Sequence, residues 1–272
     1  MRTRIKAGES NEWLEILLEL KRKAVGVRFL FDRNDYEKSS SAGRNGTVPY
    51  CTAVRNASEG KSIKLHLGNF ACLAAARGLG LMENDEISRS GKRHSDMGVY
   101  ENVLVSRNIA KDMVYCGHSV YGVEIRPLED YKEHNPDIII IITNPYNAMR
   151  IVQAHAYTKG QLKNIKMAGM QAVCQECTSY VYERNEINLS MLCSGTRCVA
   201  QWSKEEMGVG IPFQQINDII YGLVQTVNPM ENNHDKKLIQ EKLKSAGKDL
   251  EFEIEYNKNY YTGVFVSSNS KK

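Results

Sequence analysis

The arrangement that most constrains the fold of this chain is an internal repeat. Its two copies span approximately residues 25–82 and 137–193, and each begins with an apolar strand followed by a helix that opens on Pro-Tyr, at 49–50 and at 145–146. Proline is favoured in the first turn of a helix. We therefore predict an α/β or α+β fold, in which two pseudo-repeated strand–helix–strand–helix units form one mixed sheet surrounded by further helices.

The repeat lies in a predicted single domain, residues 1–227, which is followed by a highly charged C-terminal extension, residues 228–272. Gly208 and Gly210, near the end of the domain, are interpreted as residues at helix ends. In the extension, apolar residues alternate with charged ones over residues 252–256 and predict a last strand. The extension is expected to lie outside the repeated core.

Composition and charge exclude some classes of function. The 272 residues carry a formal net charge of only +4, spread along the chain, so no nucleic-acid-binding surface is indicated. The first residues contain no uninterrupted apolar segment of the kind that a signal peptide needs. The longest apolar run, residues 138–142, is far shorter than the ~20 residues that a membrane-spanning helix needs. We expect a cytoplasmic protein that does not associate with membranes.

Four of the seven cysteines form two chain-distant pairs, Cys51 with Cys72 and Cys174 with Cys193. Without an export signal these thiols are expected to stay reduced, as metal ligands do. The repeat gives Cys72 and Cys174 equivalent places in the first turn of a helix, and Cys51 follows a helix-opening proline. The positive end of a helix lowers the pKa of a thiol and stabilises bound anions. The four cysteines therefore indicate an iron–sulfur site.

The turn that Cys193 opens, Cys-Ser-Gly-Thr-Arg, has small residues that let backbone N–H groups approach the sulfur. Arg197, at its end, is interpreted either as a countercharge to a cluster or an anionic substrate, or as a solvated arginine in a tight turn. Glu176 lies between Cys174 and Cys177 and is a candidate acid. Ferredoxin-type clusters use cysteines in close succession, and that spacing is absent.

The motifs follow a fixed order: Tyr-Cys at a helix start, Ala-Cys before Gly-Leu-Gly-Leu, Pro-Tyr-Asn-Ala-Met, Ala-Val-Cys and Cys-Ser-Gly-Thr-Arg. This order resembles the domain of unknown function 169 family of bacteria and archaea, over roughly residues 14–227. The resemblance implies a shared fold and a shared site, but no established reaction. The positions that match the recurring polar residues of the family are Cys51, Cys72, Cys174, Cys193 and Arg197.

The first functional hypothesis is an iron–sulfur protein, with a 4Fe–4S cluster expected, that serves anaerobic metabolism. It would be an oxidoreductase, a cluster-dependent lyase or an electron-transfer component, and its partner a redox protein or a small anionic substrate, with Arg197 and Glu176 as the acting residues. Cys177 and Cys198 are additional to the family pattern, and their role is open. The alternative is a zinc-stabilised or metal-free module that binds a small ligand without catalysis. A homo-oligomer is compatible with either hypothesis.

Overall fold

A computed structural model describes residues 5–117 and 119–258, and its centre is one six-stranded sheet. The strand order across the sheet is β2-β3-β1-β4-β6-β5, and every pair of neighbouring strands is antiparallel. The strands are β1 Val25–Leu30, β2 Ile63–His66, β3 Gly122–Pro127, β4 Ile138–Thr143, β5 Asn188–Ser190 and β6 Met207–Pro212. The predicted α+β fold is confirmed, with an antiparallel sheet in place of the mixed one.

Helices cover both faces of this sheet. In chain order they are α1 Ala7–Leu18, α2 Arg33–Lys38, α3 Tyr50–Ser58, α4 Leu73–Gly78, α5 Glu86–Arg89, α6 Lys92–Asp96, α7 Val103–Asp112, α8 Pro145–Lys159, a π-helix Ala172–Ser179, α9 Tyr180–Arg184, α10 Ser194–Ala200, α11 Ile216–Gln225, α12 Val227–Met230 and α13 Asn233–Ser245. Short 3₁₀ turns follow β2, β3 and β6, at Leu67–Asn69, Leu128–Asp130 and Phe213–Gln215. In the part of the chain described, no helix combines the length and apolar character that crossing a membrane requires.

Strand β4 is buried on both sides because its isoleucines point alternately to the two faces. Ile138 and Ile140 pack on what we call the cysteine face, which α3, α4, the π-helix and α9 cover. Ile139 and Ile141 pack on the opposite face, against α1, α8 and α11. A continuous apolar run is what a strand buried on both faces requires.

The predicted repeat is not confirmed by this arrangement. Helices α3 and α8 hold corresponding places in the two proposed copies, yet they lie on different faces of the sheet. Ala53 and Val54 of α3 belong to the core of the cysteine face, whereas Ile151 and Ala154 of α8 belong to the opposite core. The similarity of the two Pro-Tyr segments is therefore local, since both use proline to begin a helix.

Gly208 and Gly210 lie inside strand β6, so their interpretation as residues at helix ends is wrong. Both let the π-helix approach the sheet closely. A Cβ atom at Gly210 would lie 2.5 Å from the carbonyl oxygen of Cys177 and 2.6 Å from Cγ2 of Val181. One at Gly208 would lie 2.7 Å from the Cys177 sulfur. Glycine in a strand often marks such an approach of another backbone.

We expect Gly210→Ala to destabilise the protein by about 1–3 kcal/mol, because the added methyl group overpacks the contact with the π-helix. Urea unfolding measures the change. Gly8→Ala is the matched control: its Cβ would meet no atom nearer than 3.7 Å, and it lies within α1, where alanine is favoured. Equal stabilities of the two variants would contradict the close approach.

The predicted last strand is also wrong, because residues 251–258 form no strand. Side chains bind the backbone there in place of a neighbouring strand. Asn228 donates to the carbonyl oxygen of Glu253 and accepts from the N–H of Glu255, and the ammonium group of Lys236 donates to the carbonyl oxygen of Glu255. Helix α13 of the extension contributes Ile239 and Leu243 to the core of the opposite face.

Candidate functional site

The four predicted cysteines lie on four separate elements at the cysteine face. Cys51 is the second residue of α3, and Cys174 is the third residue of the π-helix. Cys72 and Cys193 are the capping residues that precede α4 and α10. Helix α3 packs against both α10 and the π-helix, and α4 packs against the π-helix. The fold thus brings together cysteines that are far apart in the sequence.

The thiols of the four cysteines interact electrostatically. Burial raises the pKa of Cys174 well above its ordinary value, and the thiols of Cys72, Cys193 and Cys51 each raise it further. The pKa of Cys51 is raised first by burial and then by Cys193 and Cys72. Cys174 and Cys51 therefore resist ionisation. The predicted lowering of these two pKa values by helix N-termini is wrong, because burial outweighs it.

Thr196 interacts with both Cys193 and Cys51, and it was not predicted from the sequence to be part of the site. Its N–H donates to the Cys193 sulfur at 3.3 Å, and its hydroxyl lies 3.0 Å from the same sulfur. A hydrogen bond with Thr196 also lowers the pKa of Cys51. Thr196 stands three residues after the capping residue Cys193, so its N–H is one that a capping side chain can bind.

Two further contacts fix the helix that carries Cys51. The hydroxyl of Tyr50 lies 3.0 Å from the hydroxyl of Thr178 in the π-helix, and burial raises the pKa of Tyr50. The guanidinium group of Arg55 donates to the carbonyl oxygens of Ala200 and Gln201, at 2.6 and 2.5 Å, where α10 ends. Helix α3 is thereby attached to both of the elements that supply Cys174 and Cys193.

The four cysteines differ in their exposure to solvent. Cys72 is exposed and Cys51 is half-buried, whereas Cys174 and Cys193 are buried. A metal centre bound here would lie below the surface, with Cys72 at its edge. Among the described residues, no group of three or more His, Cys, Asp and Glu side chains is arranged as a ready-made metal site. The donor set itself, four thiols, is the one that iron–sulfur clusters use.

The other cysteines have different surroundings. Cys177 is buried in the core, and its sulfur lies against Gly208. Its pKa is raised first by burial and then by Glu176 and Cys193. Cys116 is buried, and its pKa is raised by burial and then by Glu183 and Asp137. Cys198 is exposed on α10. Cys177 and Cys116 therefore serve the core packing of the cysteine face.

Arg197 binds its own loop. Its guanidinium group donates to the backbone carbonyl oxygens of Met191 and Glu206, at 2.9 and 3.0 Å, and also to that of Ser203. These bonds close the loop that carries Cys193. The role of Arg197 towards a cluster or an anionic substrate stays a prediction.

The carboxylate of Glu176 likewise accepts hydrogen bonds from neighbouring parts of the chain. One carboxylate oxygen accepts from the N–H groups of Ala168 and Gly169, at 2.7 and 3.2 Å, and the other accepts from the hydroxyl of Ser190 at 2.5 Å. Burial raises the pKa of Glu176 above its ordinary value. Its predicted role as a catalytic acid is untested, and its hydrogen bonds already engage both oxygens.

Asp85 anchors the segment of short helices beside the cysteine group. Hydrogen bonds from Ser88, together with the guanidinium groups of Arg77 and Arg93, lower the pKa of Asp85 to about 2. Arg77 belongs to α4 and lies 2.7 Å from the carboxylate, and Arg93 belongs to α6 and lies 3.0 Å from it. Asp85 therefore connects the helix after Cys72 to the helices that follow.

We expect Asp85→Asn to lose about 1 kcal/mol of stability at pH 7, a value that allows for solvent screening. The folded-state pKa lies below the ordinary value of 3.8, so the stabilisation is present above pH 3.8 and disappears as the pH falls towards 2. Urea unfolding at both pH values tests this. A loss that is the same at pH 7 and pH 2 would contradict the role of the charge, and Asp96→Asn is the exposed control.

Comparison with known proteins supports the resemblance found in the sequence. The family model of DUF169, described as uncharacterised ArCR, matches residues 14–222, which include all four cysteines of the group. Uncharacterized protein MJ0308 of Methanocaldococcus jannaschii is 26% identical over 173 residues, which are 63% of this chain and 74% of that protein. No solved structure matches the chain.

Proposed function

The chain belongs to the DUF169 family, and we propose that it binds an iron–sulfur cluster through Cys51, Cys72, Cys174 and Cys193. The observation that supports this proposal is the coupling of Cys174 to the other three thiols. Thiolates grouped in one place repel one another unless positive charge lies between them. The iron atoms of a cluster supply that charge, and thiolates are their usual ligands.

The residues around the thiols suit such a centre. Thr196 would hydrogen-bond the thiolates of Cys193 and Cys51, and hydrogen bonds to ligand sulfur tune a cluster's potential. When bound, a cluster would exchange single electrons, and an iron atom without a cysteine ligand would act as a Lewis acid. Cys72, being exposed, is the ligand whose departure would open such an iron to a substrate.

Within this proposal, electron transfer is better supported than substrate chemistry through Arg197. The guanidinium group of Arg197 already donates to three backbone carbonyl oxygens, so closing its own loop accounts for this residue without an anionic substrate. The four cysteines form a complete ligand set, which suits a closed cluster and a redox partner protein. An oxidoreductase or a cluster-dependent lyase of anaerobic metabolism would need a substrate site outside Arg197.

Structural zinc is the competing occupant, because four thiolates also bind zinc. Zinc sites usually draw their ligands from closely spaced pairs, whereas these cysteines come from four separate elements. Spacing along the chain therefore favours the cluster.

Metal and sulfide analysis of protein purified without oxygen tests the proposal. We expect roughly four irons and four sulfides per chain for a 4Fe–4S cluster, with visible absorption that oxygen bleaches. A colourless protein with one zinc per chain would overturn it, and so would a metal-free protein that takes up no iron when it is refolded with iron and sulfide.

A further inference from the structure

The sheet face opposite the cysteines carries charged side chains on strands β3 and β1. Val123 and Ile125 of β3 point into the core of the cysteine face, so Glu124 and Arg126 point to the other side. Arg28 of β1 lies directly opposite Glu124 in the antiparallel pair and therefore shares its side of the sheet. Glu124, Arg126 and Arg28 all line a cavity of about 420 Å³.

The two oxygens of the Glu124 carboxylate differ in their hydrogen bonding, although the residue is only 1% exposed. Oε1 accepts from the hydroxyls of Ser39 and Ser41 and from the guanidinium group of Arg126. Oε2 accepts no hydrogen bond from the residues that the structure describes, and it lies 4.0 Å from Nη1 of Arg28, which is beyond hydrogen-bond distance. Because buried polar groups are nearly always paired, this oxygen indicates a place for a donor.

The guanidinium group of Arg28 supplies unused donors to the same cavity. In the described part of the chain it makes no hydrogen bond, and its side chain is 22% exposed. Its charge acts on Asp137: burial raises the pKa of that carboxyl, and the N–H of Phe29 and the charge of Arg28 oppose the rise. Unused donors and an unused acceptor, of opposite charge, thus lie side by side.

Positive and negative groups around the cavity are nearly equal in number. Next to the sheet, the two arginines Arg28 and Arg126 accompany the two carboxylates Glu124 and Asp137. The remaining charged or titratable residues that line the cavity are also of both signs: Asp35, Lys38, Asp130, Lys132, Glu133 and His134. A ligand with one charge of each sign preserves this balance. Charge-assisted hydrogen bonds are roughly twice as strong as neutral ones, so such a ligand gains more here than an uncharged one.

We propose that this cavity binds a free α-amino acid, with its carboxylate on the guanidinium group of Arg28 and its ammonium group on Oε2 of Glu124. The two charged groups of an α-amino acid are attached to one carbon atom, so they can reach protein atoms that lie 4.0 Å apart. The charged lining favours an amino acid with a polar side chain. The inference does not depend on the iron–sulfur proposal, because the cavity lies on the other side of the sheet and shares no residue with the four cysteines.

Ligand-observed NMR with L-serine tests the proposal on the full-length protein purified without oxygen. Three analogues are compared with it: ethanolamine lacks the carboxylate, 3-hydroxypropionate lacks the ammonium group, and glycerol lacks both. We expect saturable binding of serine, and binding of each analogue at least tenfold weaker, the value of one charge-assisted hydrogen-bonded contact. No saturable binding of serine, or equal binding of any analogue, would overturn the proposal.

Substitutions of Arg28 test the contact with the ligand carboxylate. Arg28→Met should weaken serine binding at least tenfold, and Arg28→Lys should weaken it less, because lysine keeps the charge but not the planar pair of donors. Arg33→Met is the matched control: the Arg33 side chain is 77% exposed, pairs with Glu37, and does not line the cavity. Equal serine affinities of Arg28→Met and Arg33→Met would contradict the assignment.

Urea unfolding of the same samples checks that each variant is folded, and 10 mM serine should raise the midpoint of the unaltered protein more than that of Arg28→Met. If Arg28→Met does not fold, Arg28→Lys and the analogue comparison decide the question. Iron content is measured in parallel. Serine binding by protein without iron would support this proposal while the cluster proposal fails, and iron-loaded protein that does not bind serine would show the reverse.

Discussion

Replacing Cys174 with alanine is expected to reduce the iron content of protein purified without oxygen at least tenfold. Cys174 is buried, and it is the thiol whose pKa the other three all raise. Without it, a buried cluster would lose one of its covalent attachments and become open to solvent at its most protected side. Iron and sulfide analysis of the purified variant, with its visible absorption spectrum, measures the loss.

Cys177→Ala is the matched control, because it removes a thiol three residues away on the same π-helix. Cys177 is fully buried against Gly208, so we expect a loss of about 1–2 kcal/mol of stability with most of the iron retained. The two substitutions are therefore expected to differ in their effects: Cys174→Ala removes metal, and Cys177→Ala weakens packing. If Cys177→Ala loses as much iron as Cys174→Ala, the assignment of the four ligands is wrong.

Arg150→Met is expected to lower the free energy of unfolding by about 3–5 kcal/mol, the largest stability change that the structure indicates. The side chains of Arg150 and Glu231 are 1% and 3% exposed and form an ion pair between α8 and the segment after α12. Arg150 also donates to the hydroxyl of Thr226 at 2.8 Å and to the carbonyl oxygen of Leu223 at 3.3 Å. The substitution would leave a buried carboxylate without its cation.

Urea unfolding measures this change, and two further variants control it. Lys92→Met removes the cation of an exposed ion pair with Asp96 and should cost less than about 0.5 kcal/mol. The double variant Arg150→Met, Glu231→Leu replaces both charges and should recover part of the loss. An effect of Arg150→Met no larger than that of Lys92→Met would mean that the pair is not buried in solution.

Several strands could be predicted from the sequence, but it did not show which elements pack against one another. Alternation in residues 25–31 and the apolar run 138–142 predicted strands β1 and β4, because side chains of a strand alternate between two faces. The glycines of β6 were misread because a glycine that ends a helix and one that admits a neighbouring helix look the same in a single sequence. Only the packing of the π-helix on Gly208 and Gly210 distinguishes them.

The candidate site was predictable to a similar extent. The four cysteines could be chosen from the order of motifs, which the family match over residues 14–222 supports. Their surroundings could not: Thr196 bridging two thiols, and the raised pKa values of Cys51 and Cys174, depend on burial.

Iron-edge anomalous diffraction from crystals of protein prepared without oxygen would locate the bound metal. We expect one compact iron signal within bonding distance of the sulfurs of Cys51, Cys72, Cys174 and Cys193. Iron bound elsewhere, or a zinc signal in its place among the four sulfurs, would contradict this expectation.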